Sequence, residues 1–502
     1  MSVSSWLAQP WNAGKGHGAL TTAAAVPLVA AAAAGAVTLL SGAAAPAAAA
    51  DALVWKPCGG PFQCASLEVP RDYTDPSGPR WQLPLIRLPA TGAGERLGTL
   101  VYNPGGPGLS GVMELRQRPA ELEALRSRYD LVSFDLRGTA GSVPAIQCLS
   151  AAEQADIQNQ VSAPRTPLQI ASANRLARMV ADRCQERFSA WLPFVGTRDG
   201  ARDLDRVRAA LGETRLTYLG VSYGTYLGAI YAELFPERVG RFVLDGALDP
   251  SLPYGPFRRD QALAMDQALG RFLADCHSQP DCPLPSESGQ AIAAIHGVVA
   301  GLDARPYRSS DGRQLSGARA LGVIQSSMYD PPSAWKPLQQ ALAAALRGDP
   351  EPMLTLADGP DLMVNPADTP YLAVMCHDLA TNRDPALVPL EAAAWRRDAP
   401  VNGASRAWST LPCAYWPVRT ALPPRPLQAR GVPPVLVIGT TYDPSTTVGW
   451  ARALHRQLPD SRMVEWNGDG HLAYGRGVAC VDQTVTRFLF EGVLPEQSLR
   501  CP

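Results

Sequence analysis

With 502 residues the chain exceeds one average domain, and the length fits a single catalytic body carrying an inserted subdomain. Its 45 basic and 46 acidic residues leave a formal charge of -1 with no run of like charge, which excludes a basic groove for nucleic acid or a patch for anionic membranes. Lysine is nearly absent (Lys15, Lys56, Lys336) amid abundant Ala, Pro, Gly and Arg, a compositional bias without functional meaning.

The first fifty residues carry no acid and one lysine, then an apolar Ala/Val/Leu stretch over 19–40, then Ser41-Gly42-Ala43 and Ala47-Ala48-Ala49-Ala50. This order predicts a secretory signal peptide over 1–50, cleaved near Ala50. An uncleaved membrane anchor is the rival reading, because the stretch nearly reaches a membrane span, but its alanine content and the small residues that follow favour cleavage. No cysteine lies near the cleavage region, which argues against a lipoprotein anchor. The expected product is a secreted protein without stable membrane association.

Beyond the leader, 65–69 and 81–88 flank the turn residues Asp75-Pro76-Ser77-Gly78-Pro79 and predict an antiparallel hairpin. Apolar runs at 97–102, 131–134, 216–219, 242–244, 435–438 and 463–466 then alternate with helical patterns. That alternation predicts an α/β fold, a mostly parallel twisted sheet with helices on both faces. Between 249 and 427 strand signals disappear in favour of Ala/Leu-rich helical patterns at 260–276, 288–302 and 335–346. The expected organisation is a core over 51–250, a helical cap over 251–426 inserted after the sixth strand, and a returning core over 427–502. The segment Leu422-Pro423-Pro424-Arg425-Pro426 marks the return.

All ten cysteines follow the leader, and an even number fits bridges formed in an oxidising compartment. None forms a C-x-x-C pair, and the neighbours Cys276-His277 and Cys376-His377 have no metal-site spacing, so neither a metal nor a redox pair is expected. Short separations suggest Cys58 with Cys64, Cys276 with Cys282 and Cys480 with Cys501. Elimination and order leave Cys148 with Cys184 and Cys376 with Cys413.

The most informative residues are Gly220-Val221-Ser222-Tyr223-Gly224, which end the apolar run 216–219 and open a helical stretch over 226–235. A strand-to-helix elbow with glycines two residues either side is how a strained nucleophilic serine is presented. A serine hydroxyl needs a histidine base, and the imidazole needs a carboxylate to fix its tautomer. Of the six histidines, only His455 and His471 follow the cap. His455 lies in a helical pattern beside Arg452 and Arg456 and reads as a surface residue, whereas His471 closes the loop Asn467-Gly468-Asp469-Gly470-His471 after a strand. Asp443, just past the strand 435–438, is the expected acid; a helix N-cap before Pro444-Ser445-Thr446 is its competing role, and Asp469 is expected to form a turn. The glycine-rich Asn103-Pro104-Gly105-Gly106-Pro107-Gly108 follows the strand 97–102, where one oxyanion donor belongs, and the amide of Tyr223 would be the second.

The loop Pro104-Gly105-Gly106-Pro107-Gly108, the segment Asp135-Leu136-Arg137-Gly138, the elbow at Ser222 and the pair Gly470-His471 together resemble the proline iminopeptidase and tripeptidyl aminopeptidase family of secreted α/β-hydrolases. The resemblance spans about 55–501, and the C-terminal stretch with Tyr474-Gly475, Cys480-Val481-Asp482 and Gly492-Val493-Leu494-Pro495 is similar to the tripeptidyl aminopeptidase-like region in particular. It implies an α/β-hydrolase fold, the triad Ser222, Asp443 and His471, oxyanion donors at Gly106 and Tyr223 with Gly105 beside them, and all five cysteine pairs. Two positions depart from the family: Pro104 stands where proline iminopeptidases have histidine, and Ala140 where a second glycine is common.

The expected activity is a serine exopeptidase releasing tripeptides, other short peptides or single residues from unblocked N-termini through an acyl-enzyme, without a cofactor or metal. The alternative is a secreted carboxylesterase or amidase acting on a small secondary metabolite. An aminopeptidase also needs a carboxylate for the substrate ammonium, and Asp378 is the candidate.

Overall fold

The computed structural model describes residues 53–359, 368–379, 384–419 and 422–502, so the expected leader over 1–50 lies outside the described residues. The strands in chain order are β1 (Lys56–Pro57), β2 (Gln63–Asp72), β3 (Asp75–Leu88), β4 (Gly98–Asn103), β5 (Tyr129–Phe134), β6 (Leu216–Val221), β7 (Val239–Asp245), β8 (Tyr307–Arg308), β9 (Gln314–Leu315), β10 (Val435–Tyr442), β11 (Arg462–Asp469) and β12 (Leu499–Cys501). Ten of them form one sheet in the order β1-β2-β3-β5-β4-β6-β7-β10-β11-β12. From β5 to β12 every neighbouring pair is parallel, while β1, β2 and β3 run antiparallel at one edge. This is the α/β-hydrolase sheet.

The apolar runs are continuous because both faces are covered. Leu100, Leu131, Leu219, Val243 and Leu436 point into one core, and their successors or predecessors Val101, Val132, Tyr218, Leu244 and Val437 point into the other. Successive side chains of a strand face opposite ways, so each position must be apolar when helices pack on both sides.

The hairpin turn lies earlier than the composition suggested. Tyr73 and Thr74 connect β2 to β3, and Asp72 shapes the turn by accepting from the amide and hydroxyl of Thr74 at 2.8 and 2.7 Å. Residues 76–79 form a bulge between the pairs Asp72·Asp75 and Pro70·Arg80, which is where proline and glycine are tolerated inside a strand.

Between β7 and β10 the chain is mainly helical, with the small hairpin β8-β9 as an unanticipated addition. Helices Tyr254–His277, Ser288–Ala304, Gly317–Ser326, Pro331–Leu346 and Glu351–Ala357 enclose their own core around Leu269, Phe272, Ile295, Leu321, Leu338 and Met353. The covering layer also recruits residues from before β6. Helix Pro167–Phe188, started by a capping box between Thr166 and Gln169, packs Ala173 and Ala177 against Trp395, Trp408 and Leu411. All ten cysteines are bridged, as Cys58–Cys64, Cys148–Cys184, Cys276–Cys282, Cys376–Cys413 and Cys480–Cys501.

Candidate active site

Ser222 stands between β6 and helix Tyr223–Leu234 with φ 54° and ψ -125°. A non-glycine residue held there costs on the order of 1–3 kcal/mol, and persists only when its surroundings over-determine it. They do. Its amide donates to the carbonyl of Asp245 at 2.9 Å, and its carbonyl accepts from the amide and hydroxyl of Thr225 at 2.9 and 2.6 Å. The elbow is also closely packed: a Cβ on Gly224 would lie 2.6 Å from the carbonyl oxygen of Asn103, so glycine is required there.

His471 follows β11, and its Nδ1 lies 2.9 and 3.0 Å from the carboxylate oxygens of Asp443, which follows β10. Asp443 binds His471 and also shapes its own turn. Its Oδ1 accepts from the amides of Ser445 and Thr446, each at 2.8 Å, and its Oδ2 accepts from the Thr446 hydroxyl at 2.9 Å and the Leu472 amide at 3.3 Å. It is not the N-cap of the next helix, a role taken by Thr447. Burial alone would raise the Asp443 carboxyl, but the charge and hydrogen bond of His471 and the amides of Thr446 and Ser445 outweigh it and hold the group below the usual carboxylate range. The carboxylate is therefore ionised and aimed at Nδ1, which leaves Nε2 as the nitrogen free to exchange a proton.

The loop after β4 lies against the elbow. Gly105 and Gly106 take φ 90° and 103°, and a Cβ on Gly105 would come 2.9 Å from the Tyr223 amide nitrogen and 3.0 Å from Ser222 Cβ. The Gly105 amide donates to Asn103 Oδ1 at 3.0 Å and Gly105 does not line the cavity, so it does not join the donors. Gly106 and Tyr223 do line it.

That cavity has a volume of about 440 Å³. Ser222, His471, Gly106 and Thr446 line it, together with Tyr254, Phe257, Arg258, Tyr329 and Tyr371 from the segment between β7 and β10. Ser222 and His471 share the cavity without a hydrogen bond between them among the described residues, and catalytic contacts of this kind commonly tighten only when substrate arrives. An elbow serine, a carboxylate-oriented imidazole and two cavity-lining amides without a hydrogen-bond partner among the described residues are the parts an acyl transfer requires.

The TAP-like protein family model matches residues 399–501, the part that carries Asp443 and His471. Across nearly the whole chain, the sequence is 34% identical to serine protease Hip1 of Mycobacterium tuberculosis over 474 residues, 89% of this chain and 90% of that protein. It is 36% identical to carboxylesterase B of the same species over 454 residues, 88% and 86% of the two chains. It is 32% identical to tripeptidyl aminopeptidase of Streptomyces lividans over 469 residues, 89% and 86%. The chain belongs to the TAP-like family of serine hydrolases.

Against the family pattern, Ala140 keeps the backbone that a glycine would supply, with φ 41°, so the departure there leaves the loop intact. Pro104 lines the TAP-like cavity. Asp378, expected at the substrate ammonium, is elsewhere. Its carboxylate accepts from the amide of Thr197 at 2.8 Å and from the Thr197 hydroxyl, and pairs with His377 at 2.8 Å. It thereby caps helix Thr197–Ala210, whose own N-cap Gly196 has no side chain, and does not line the cavity. Asp469 is not a simple turn-former either: it lies at the end of β11 and forms two 2.8 Å hydrogen bonds with Arg271 of the cap. His455 is half-buried, its Nδ1 2.7 Å from Ser461 Oγ.

Three contributors escaped the sequence reading. Thr446 bonds Asp443 and lies 3.3 Å from His471 Nδ1; the Asp443-Pro444-Ser445-Thr446 spacing of an Asx turn was its only signal. Asp245, fully buried at the end of β7, accepts from the amides of Ala473 and Tyr474 at 3.0 and 2.8 Å and so anchors the loop behind His471. Asp368 lines the cavity, and burial pushes its carboxyl up to about 6.

Proposed function

We propose that this TAP-like hydrolase is a serine exopeptidase that releases a short peptide, a tripeptide or smaller, from unblocked N-termini. The observation that carries the reading is Asp368. It is a half-buried carboxylate in the same cavity as Ser222 and His471, and among the described residues its carboxylate accepts only from the Tyr371 amide, at 3.1 Å. The other cavity acids, Glu114 and Glu121, already share Arg118. A cavity carboxylate without a cation among the described residues suits a substrate ammonium, and it replaces Asp378 in that role.

In the proposed reaction His471 Nε2 takes the proton of the Ser222 hydroxyl as Oγ attacks the scissile carbonyl. Asp443 holds the imidazole by Nδ1 and stabilises the imidazolium that forms. The amides of Gly106 and Tyr223 meet the developing oxyanion, each contributing about 3 kcal/mol to lowering the barrier. His471 then protonates the departing amine, and a water attacks the acyl-enzyme by the same route to free Ser222. Relatives named as a serine protease and as a tripeptidyl aminopeptidase support peptide substrates. The relative named carboxylesterase B supports the second reading, hydrolysis of an ester or small amide.

The bridged cysteines support export to an oxidising space outside the cytoplasm, and together with the leader they support secretion.

The test offers unblocked and N-acetylated di- and tripeptidyl anilides to the purified protein, with Ser222→Ala as control. Release confined to the unblocked peptides is the expected result. Indifference to the acetyl group, or cleavage of esters alone, rejects the exopeptidase reading.

A further inference from the structure

A second charged feature of the cavity has no part in the reaction above. Arg258, on helix Tyr254–His277, and Arg406, on helix Gly403–Trp408, both line the cavity that holds Ser222 and His471, and they are only 7% and 6% exposed. Among the described residues the hydrogen-bond partners of Arg258 are neutral: Ser409 Oγ at 3.0 and 2.7 Å, Gln261 Oε1 at 2.7 Å and the Tyr371 hydroxyl at 3.4 Å. Arg406 makes no side-chain hydrogen bond or ion pair among the described residues, and its Nε is buried without a partner. The groups that act on it are Arg258 and the phenols Tyr329, Tyr371 and Tyr254; burial first and then repulsion from Arg258 lower its guanidinium to about 10.

Two like charges buried together without a counter-ion are costly. The same molecule shows what a structural buried arginine looks like. Arg137, 1% exposed, donates to both oxygens of Asp203 at 2.6 and 2.5 Å and to three backbone carbonyls. The cavity arginines lack any such match and face space that a ligand can enter. Their location is also set relative to the chemistry. Gln261, which binds Arg258, donates its Nε2 to the carbonyl of Ser445 at 3.0 Å, in the turn that holds Asp443.

We infer that Arg258 and Arg406 form an anion subsite of the catalytic cavity, which takes a carboxylate of the substrate. The inference rests on the reading of Ser222 and His471 as the hydrolytic pair. It adds a selection that their chemistry does not require: substrates bearing a negative charge within reach of the two guanidinium groups are preferred to neutral ones of the same shape. The carboxylate has two sources, an acidic residue in the released peptide or the C-terminus of a short leaving peptide, and the planar, donor-rich guanidinium suits either.

The test compares kcat/KM within isosteric pairs that differ by one charge. Unblocked tripeptidyl anilides with Glu or Gln at each position put the carboxylate on the acyl side. Unblocked tetrapeptides as free acids or C-terminal amides put it on the leaving side. The 4-nitrophenyl monoester of adipic acid against the 4-nitrophenyl ester of its monoamide reads the acyl-side charge without needing peptidase activity. In the wild type, the charged member of at least one pair is favoured by about tenfold or more, and Arg406→Gln brings that ratio close to parity while Arg406→Lys keeps part of it. Parity in every wild-type pair overturns the inference, as does a preference that survives both Arg406→Gln and Arg258→Gln. The wild-type ratios suffice for refutation even where a variant fails to fold. A charge preference in the ester pair with no peptide cleaved leaves the subsite standing and rejects the exopeptidase reading instead.

Discussion

The backbone amide of His471 donates to the carbonyl of Tyr329 at 2.8 Å, so the candidate base is suspended from the cap as well as from the core. The Tyr329 ring also meets the imidazole edge-on, with centroids 5.2 Å apart. Arg476 completes the latch by bonding both carbonyls, of His471 at 2.8 Å and of Tyr329 at 2.9 Å, and the Asp330 carboxylate at 2.8 Å. The loop that carries His471 is thus tied directly to the segment between β7 and β10.

Gly470→Ala tests that latch. Gly470 has φ 100°, and an added Cβ would come 2.6 Å from Pro331 Cδ and 2.9 Å from the Tyr329 carbonyl oxygen. The substitution pushes the cap off the histidine loop, at a cost of about 1–3 kcal/mol in stability. The expected outcome is a kcat at least tenfold lower in a protein that still unfolds cooperatively, checked by kinetics beside a thermal melt. Wild-type kcat would dissociate the cap from catalysis.

Ser222→Gly separates catalysis from strain. Glycine adopts the φ of 54° freely, so the variant is expected to lose turnover while gaining about 1 kcal/mol of stability. Chemical denaturation gives the sign. An unchanged or lower midpoint would mean that the elbow stores no strain.

Discrimination for a free N-terminus is expected to depend on pH through Asp368. Burial raises its carboxyl to about 6, so the group is neutral below that pH and becomes an anion as the pH rises through it. The ratio of kcat/KM for unblocked over N-acetylated substrate, in which effects common to both substrates cancel, is expected to climb between about pH 5 and 7. Asp368→Asn should flatten the ratio at its low-pH value; a profile unchanged by the substitution would remove Asp368 from the ammonium site.

Cys376–Cys413 joins helix Thr369–Asp378 to helix Leu411–Tyr415 across 37 residues, beside the cavity wall formed by Tyr371. Replacing both cysteines by serine is expected to destabilise the protein by about 3–4 kcal/mol, because the open chain regains loop entropy. The melting temperature should fall accordingly, with KM affected more than kcat. A loss under about 1 kcal/mol would show that packing rather than the bridge holds these helices.

The strands were legible because a parallel sheet covered on both faces must be apolar at consecutive positions. Leu100-Val101 and Leu436-Val437 can be read directly from the chain. Ser222, Asp443 and His471 were legible because their loops end strands and carry glycine or Asx chemistry, which are local properties. The hairpin turn was misplaced because 76–79 has turn composition, yet the partner strand absorbs it as a bulge. Asp378 and Asp469 were misread for a related reason: an isolated carboxylate takes its role from a partner distant in sequence, here Thr197 and Arg271.

By itself, then, the sequence determined the fold class, the strand-to-helix elbow that carries Ser222 and the strand ends that carry Asp443 and His471, because these follow from periodicity, backbone conformation and chain order. Only the tertiary structure decided that Asp443 serves His471 and its own turn at once, that Asp368 rather than Asp378 lines the cavity, and that Arg258 and Arg406 both line it without an acidic partner among the described residues. Charge pairing, burial and desolvation are set by through-space neighbours. Those neighbours are fixed when helices from before β6 and after β7 close over the sheet, and no spacing along the chain encodes that closure.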